Sequence, residues 1–200
     1  MKGWQLDRLG GRLRFNDLPL PEVRPGSVLV RVEASVLMTC MKPYVEGKLP
    51  IYNAPKSDFT PGGNGVGVVT AVGKDVWHVK RGQRVVISSH VMAGENVEDP
   101  GQFLLGVTAI GSFAEAMQAD WPNGTLAEYA LVPKSTVTIV EGLDHLSATE
   151  LAATMRFIVP FGSRRTSPPA TGQPRRRSPR SAACFAGARD SQVTRSNAHY

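Results

Sequence analysis

The sequence has 200 residues, 42% of them hydrophobic, which is enough for one domain with a buried core. Its two cysteines exclude a disulfide framework and a structural zinc site with four cysteine ligands. The net charge of +6 is concentrated at one end: residues 164–200 contain eight arginines and one acid, whereas residues 1–163 contain fifteen bases and sixteen acids. We therefore expect no nucleic-acid-binding face on the folded part.

The first residues, MKGWQLDRLGG, lack the apolar segment of a signal peptide. No apolar run approaches the eighteen or so residues that a membrane span needs. These two features predict a cytoplasmic protein that has no membrane partner.

The first 140 residues have the pattern of β-structure. Alternating or β-branched segments are separated by turns rich in glycine, proline and charge. The predicted strands are KGWQL, RLRFNDLPLP, SVLVRVEASVL, VGVVTAV (66–72), VWHV, RVVISSHV, GTLAEYALVP (124–133) and TVTIV. Residues 92–122 show no clear period and are predicted to be a loop.

A helix is predicted late in the chain. Ser147 and Glu150 have the spacing of a capping box, and LAATMRFIV continues with helical periodicity until Pro160 and Gly162. The sequence then becomes rich in Arg, Pro and Ser and has no sustained apolar period. Residues 163–200 are therefore predicted to be disordered, either as a genuine basic tail or as the out-of-frame product of a frameshift near residue 163.

The most unusual stretch is FTPGGNGVGVVTAVGKDV, residues 59–76. A dinucleotide-binding fingerprint needs glycines at positions i, i+2 and i+5, but the third position is Val68 or Thr70 here. A P-loop needs a lysine where Val68 stands. Because the next residues, VVTAVG, predict a strand, no helix N-terminus faces an anion. The glycines are therefore interpreted as backbone turns that lead into a strand.

This stretch resembles the signature region of the medium-chain dehydrogenase/reductase superfamily, the alcohol dehydrogenase and quinone oxidoreductase group. SVLVRVEASVL, VKRGQRV, GTLAEYALVP and LSATELAAT resemble further family segments, in the family's order. The resemblance implies a mainly β fold, a GroES-like partly open β-barrel with a late helix and the basic tail. Residues 1–146 would form the catalytic domain and 147–162 the helix that leads to the cofactor domain. The family's Rossmann domain is absent from the predicted elements.

In zinc-dependent members of this family, a Cys and a His hold a metal ion that polarises the substrate oxygen. The resemblance puts Met38 at the Cys position, Gly63 at the His position and Asn64 in place of the neighbouring acid. No metal ligand and no cofactor-binding residue is therefore predicted. Thr39, Cys40 and Asn64 are the candidates for the substrate cleft. Two alternatives stay open: Cys40 is a small buried residue of the core, and Thr39 and Asn64 make ordinary polar contacts within their loops.

Two functions are consistent with these features. The first is the N-terminal portion of a zinc-independent NAD(P)H-dependent oxidoreductase, truncated or frameshifted and inactive alone. The intact enzyme would act on a small carbonyl or quinone-type substrate, and a homo-oligomer is compatible with the family. The alternative is a stand-alone β-barrel binding module whose basic tail contacts an acidic partner or nucleic acid. The late helix is expected to expose its apolar face if its partner domain is missing.

Overall fold

The computed structural model describes residues 1–93, 98, 100–111 and 113–155, and the predicted tail, 163–200, lies outside these residues. Within them the fold is mainly β, as predicted, with ten strands and three short helices. The strands are β1 Lys2–Gln5, β2 Arg14–Asp17, β3 Ser27–Ser35, β4 Gly65–Val72, β5 Arg84–Ile87, β6 His90–Ala93, β7 Gly101–Leu104, β8 Thr108–Ile110, β9 Tyr129–Pro133 and β10 Val137–Ile139. The helices are α1 Met41–Val45, α2 Ala114–Asp120 and α3 Ala148–Thr154, and Lys134–Thr136 forms a 3-10 turn.

A five-stranded antiparallel sheet in the order β10-β5-β4-β3-β9 forms the centre of the fold. Strand β3 lies between β4 and β9, and its pairing with β4 has two register shifts, after Leu29 and after Val32. Such irregularities bend a strand and increase its twist. The described strands form three separate sheets rather than one closed barrel, which agrees with the partly open barrel that was predicted.

The central sheet covers the largest hydrophobic core. Inward-facing residues of its strands meet residues from the connecting segments, and fully buried members include Val28, Val30, Val85 and Ile87. The predicted strand VWHV is wrong, because residues 76–79 form no strand. Val76 and Val79 nevertheless join this core, since an irregular segment can also direct side chains inward.

A second cluster lies beneath the β1–β2 hairpin. Its buried members are Leu6, Tyr44, Phe59 and Val107. Leu6 and Phe59 form an isolated antiparallel bridge in which each backbone N–H donates to the other residue's carbonyl, at 2.9 and 3.0 Å. The segment around residue 59 is therefore fixed both by packing and by backbone hydrogen bonds.

The prediction of a loop over 92–122 is wrong for the part that the structure describes. Strands β6, β7 and β8 form a three-stranded antiparallel sheet, and α2 packs on β7 and β8. One face of this sheet buries Val91, Phe103 and Ala109. These strands have only three or four residues, which is too short for a periodic pattern to stand out from the glycines between them.

Helix α3 begins as the capping box predicts, because the Ser147 hydroxyl accepts from the backbone N–H of Glu150 and the Glu150 carboxylate accepts from the backbone N–H of Ser147. The expected exposure of its apolar face is wrong within residues 148–155. Leu151, Ala152 and Met155 are buried against Val66 of β4. The chain thus supplies its own packing surface for this face. The predicted continuation of the helix over 156–162 lies outside the described residues.

The capping box gives a first testable prediction. Ser147→Ala is expected to lower the free energy of unfolding by about 1 kcal/mol, because a backbone N–H at the helix start loses its acceptor. Hydrogen bonds from Ser147 also hold the pKa of Glu150 below its usual range. A carboxyl group with a lowered folded-state pKa stabilises the fold above its unfolded pKa, and this stabilisation is lost as the pH falls through the folded pKa.

Urea titrations at neutral pH and at about pH 3 measure both effects. The difference between wild type and Ser147→Ala should shrink at the lower pH, and Ser135→Ala, on an exposed turn residue, is the control. Equal effects of the two serine substitutions would contradict the role of the capping box.

No helix among the described residues is long and apolar enough to cross a bilayer.

Candidate functional site

The candidate site lies where two loops meet at one end of the central sheet. The first loop follows β3 and contains Thr39 and Cys40, and the second precedes β4 and contains Gly63 and Asn64. The backbone N–H of Val36 donates to the Asn64 carbonyl at 2.8 Å, which extends the β3–β4 pairing into the loops. This bond places Asn64 at the base of the loop that carries Thr39 and Cys40.

Hydrogen bonds between the hydroxyl groups of Thr125 and Ser35 and the Gly63 carbonyl fix the second loop. The Thr125 hydroxyl donates to the Gly63 carbonyl at 3.0 Å, and its oxygen lies 2.6 Å from the Ser35 hydroxyl. Thr125 is buried, so these bonds are shielded from water. The predicted segment 124–133 contributes Thr125 from a loop, since strand β9 begins only at Tyr129.

The two central glycines of this loop differ in what they require. Gly62 has a φ of +141°, and a Cβ at this position would lie 2.5 Å from the Thr125 backbone nitrogen. The backbone conformation and the close contact at position 62 therefore require glycine. A Cβ at Gly63 would have the Val36 carbonyl oxygen, at 3.6 Å, as its nearest neighbour, so this position has room for a methyl group.

Asn64 is half-buried and its side chain is held by one residue. The Asn64 Oδ1 accepts from the Ser89 backbone N–H at 2.8 Å and from the Ser89 hydroxyl at 3.0 Å. Ser89 lies between β5 and β6, so the bond joins the second loop to the next connection of the fold. Sequence reasoning missed Ser89, because nothing in the spacing of two polar residues 25 positions apart indicates a contact.

The structure places the other two candidates on the first loop. Thr39 is exposed, and Cys40 is half-buried at the start of α1, without a capping hydrogen bond from its side chain. The Cys40 sulfur lies 3.7 Å from the Tyr52 hydroxyl. Asn64 and Thr39–Cys40 are thus on adjacent loops, while the Cys40 side chain contacts the segment before Phe59.

Tyr44 anchors α1 beneath this loop. It is fully buried, its hydroxyl donates to the Val107 carbonyl at 2.6 Å, and its ring makes an edge contact with Tyr52 at 5.4 Å. Burial raises the pKa of the Tyr44 hydroxyl well above its usual value. Its proton therefore stays on the oxygen at neutral pH, which suits a structural role rather than proton transfer.

The structure describes the residues at the positions that the resemblance assigns to the zinc-binding Cys and His and to the neighbouring acid. Met38 packs against the cluster that contains Tyr44, Gly63 offers no side chain, and both bonds described above occupy the Asn64 oxygen. Among the described residues there is no group of three His, Cys, Asp or Glu side chains that could hold a metal ion.

A cleft of about 390 Å³ lies elsewhere, between the segment after β2, the loop before β4 and the loop after α2. Its lining includes Asp58, Asp120 and Trp121, and the Arg24 guanidinium lies 3.9 Å from the centre of the Trp121 ring. None of the three predicted cleft residues lines it.

Comparison with known proteins assigns the family. The model of the alcohol dehydrogenase GroES-like domain matches residues 24–142, which include both loops of the candidate site and Ser89. The chain belongs to this family. The resemblance to the medium-chain dehydrogenase/reductase superfamily, first suggested by the glycine-rich stretch, is thereby confirmed.

Relatives of this GroES-like chain are alcohol dehydrogenases. The protein from Moraxella sp. (strain TAE123) is 32% identical over 149 residues, which cover 70% of this chain and 42% of the relative. The protein from Geobacillus stearothermophilus is 29% identical over 128 residues, which cover 60% of this chain and 37% of the relative. The chain therefore spans about two fifths of the length of the curated relatives that it matches.

Solved structures agree with this family. An NAD-dependent alcohol dehydrogenase is 27% identical, with a TM-score of 0.55 over 76% of this chain and 43% of the other. The 2R,3R-butanediol dehydrogenase from Bacillus subtilis, at 20% identity, has a TM-score of 0.62 over 83% of this chain and 47% of the other. The second likeness shows the GroES-like fold alone.

Proposed function

We propose that this chain supplies the catalytic domain, residues 1–146, of a zinc-independent NAD(P)H-dependent oxidoreductase of the alcohol dehydrogenase or quinone oxidoreductase type. The helix of residues 147–162 leads from this domain to the cofactor domain, and residues 163–200 follow it as the basic tail. The substrate is a small carbonyl compound or quinone, and Thr39, Cys40 and Asn64 line its cleft. The protein acts in the cytoplasm, and a homo-oligomer is compatible with the proposal.

The observation that carries the proposal is the chemistry at the two positions that the resemblance assigns to the zinc-binding Cys and His, and at the neighbouring position of an acid. This chain has there, in turn, a thioether packed in a hydrophobic cluster, a glycine and an amide. Neutral Met and Asn side chains are poor ligands for Zn²⁺, which prefers thiolate, imidazole and carboxylate groups. Substrate binding in this domain then depends on hydrogen bonding rather than on a Lewis acid.

The described residues do not fit a dinucleotide. Every described strand pairing is antiparallel, whereas a Rossmann fold needs a mostly parallel sheet with a glycine turn at a helix N-terminus. NAD(P)H, which supplies the hydride in this enzyme class, would therefore be bound by residues other than those described. The part proposed for residues 1–146 is to hold and orient the substrate.

Metal analysis tests the zinc-independent character. The purified full chain, dialysed against Zn²⁺ and then buffer, is expected to retain far less than one zinc per chain by mass spectrometry. Adding EDTA is expected to leave the affinity for a ketone probe, cyclohexanone, unchanged. One firmly held zinc per chain whose removal abolishes ketone binding would contradict the proposal.

A variant with restored ligands is the positive control. Met38→Cys, Gly63→His and Asn64→Glu together supply three groups that Zn²⁺ prefers. This triple variant is expected to retain more zinc than wild type under the same dialysis.

A further inference from the structure

We propose that the Asn64 side-chain amide nitrogen, Nδ2, donates a hydrogen bond to the carbonyl oxygen of the substrate, and that Ser89 is the positioning residue that aims it. This inference rests on the proposed function, because it names the group that contacts the substrate in the same cleft. It assigns the carbonyl-binding role to a neutral amide of this chain.

The orientation of the Asn64 amide follows from its partner. The two ends of an asparagine amide have similar shapes, so their assignment must come from the hydrogen bonds they make. The Ser89 backbone N–H can only donate, and it lies 2.8 Å from the amide. The end that faces Ser89 must therefore be the oxygen, and Nδ2 must point away from Ser89.

The opposite end of the amide is available. In the part of the chain that the structure describes, the hydrogen bonds of the Asn64 side chain are the two from Ser89 to Oδ1, and none uses Nδ2. The fully buried unpaired side-chain nitrogens of these residues are those of Arg24 and Arg84, so Asn64 Nδ2 is not sealed in the interior. A half-buried donor that is fixed at one end and open at the other is suited to receive a ligand acceptor.

The position of Asn64 agrees with this role. It lies at the base of the loop that carries Thr39 and Cys40, and the adjacent Gly63 has no side chain. The carbonyl oxygen of a ketone or quinone is an acceptor without a proton of its own, so it needs a donor. A fixed N–H group stabilises the charge that develops on such an oxygen and needs no reorganisation when the ligand binds.

The test uses the full chain and cyclohexanone labelled with ¹³C at its carbonyl carbon. Titration followed by NMR gives the dissociation constant and the ¹³C chemical shift of the bound carbonyl, which moves downfield when the oxygen accepts a hydrogen bond. Wild type is expected to bind the ketone with a downfield shift.

Asn64→Asp is the decisive variant. A carboxylate can still accept both bonds from Ser89, so the loop keeps its position, but the donor is replaced by an acceptor. At pH 7, where an aspartate is ionised, we expect the affinity to fall at least about tenfold and the downfield shift to disappear. Asn123→Asp is the matched control, because Asn123 Oδ1 likewise accepts from a backbone N–H, that of Thr60, at 2.8 Å. It lines the other cleft and should keep wild-type affinity and shift.

Variants of Ser89 test the positioning role. Ser89→Ala removes the hydroxyl bond and leaves the backbone bond, so it is expected to reduce the downfield shift in part. Ser89→Thr restores the hydroxyl and is expected to recover the shift.

Three outcomes would overturn the inference. If Asn64→Asp binds cyclohexanone with wild-type affinity and shift, Asn64 is not the donor, while the proposed function stands. If Asn123→Asp loses binding instead, the ketone occupies the other cleft. If wild type itself does not bind the ketone, the inference and the substrate side of the proposed function both fail.

Discussion

Gly67→Ala is expected to lower the free energy of unfolding by about 3 kcal/mol, whereas Gly63→Ala is expected to leave it within about 1 kcal/mol of wild type. Both glycines belong to the same short stretch, but their surroundings differ. A Cβ at Gly67 would collide with the carbonyl oxygen of Arg31 and would lie 2.7 Å from a methyl group of Val30. The carbonyl belongs to the paired strand β3, so it cannot move without breaking the central sheet.

Gly63 provides the control within the same glycine-rich stretch, in the loop just before β4. Its backbone lies outside the left-handed region, and a methyl group would meet only the Val36 carbonyl oxygen, at an ordinary contact distance of 3.6 Å. Alanine there also restricts the unfolded chain, which offsets small losses in the folded state. Urea unfolding followed by circular dichroism measures both variants. Equal destabilisation by the two substitutions would contradict the assignment of Gly67 to close backbone packing.

These glycines show which features of the stretch could be predicted from the sequence. The spacing excluded a phosphate-binding loop and predicted a strand over 66–72, and β4 spans Gly65–Val72. Spacing could not distinguish the individual glycines, however. The need for Gly67 comes from the Arg31 carbonyl, and the need for Gly62 comes from the Thr125 backbone, both of which are distant in sequence.

The candidate site was predictable only in part. The sequence pointed to Asn64 because the family places an acid at this position, but it gave no indication of the partner that orients the amide. The contact with Ser89 arises because β4 and β5 are paired, with Gly65 opposite Ile87, so the residues just outside these strands are brought together. Pairing register is a tertiary property that strand prediction alone does not supply.

For helix α3, the prediction that its apolar face is exposed was wrong for a different reason. Its capping box is a local signal and was read correctly from Ser147 and Glu150. The surface that buries its apolar residues is formed by Val66 and neighbouring residues of the central sheet. A helical pattern shows that an apolar face exists, but it does not show which surface covers that face.

The last prediction concerns the hydrophobic cluster of Leu6, Tyr44, Phe59 and Val107, against which Met38 packs. Phe59→Ala is expected to lower the free energy of unfolding by about 4 kcal/mol, because it removes a large side chain that is 1% exposed and leaves a cavity. The cavity would adjoin Tyr44, and the bridge between Phe59 and Leu6 holds the backbone in place, which limits collapse of the surrounding chain.

Phe15→Ala is the matched control. This phenylalanine is 57% exposed and packs mainly against Trp4 on the hairpin, with ring centres 5.1 Å apart. Its removal is expected to cost less than about 1.5 kcal/mol, since much of its surface already faces water. Urea titrations of the two variants give the comparison directly, and similar losses would contradict the assignment of Phe59 to the core.

Phe59→Ala also tests whether the candidate site depends on the core. Met38 and Tyr52 pack against the Phe59 cluster. Met38 directly precedes Thr39 and Cys40 on their loop, and the Tyr52 hydroxyl lies 3.7 Å from the Cys40 sulfur. Loss of the Phe59 ring should therefore loosen this loop even under conditions in which the variant remains folded. We expect cyclohexanone to bind Phe59→Ala more weakly than Phe15→Ala at low temperature without urea. If the two affinities are equal, the loop does not depend on this cluster, and substrate binding must rely on the Asn64 side of the cleft alone.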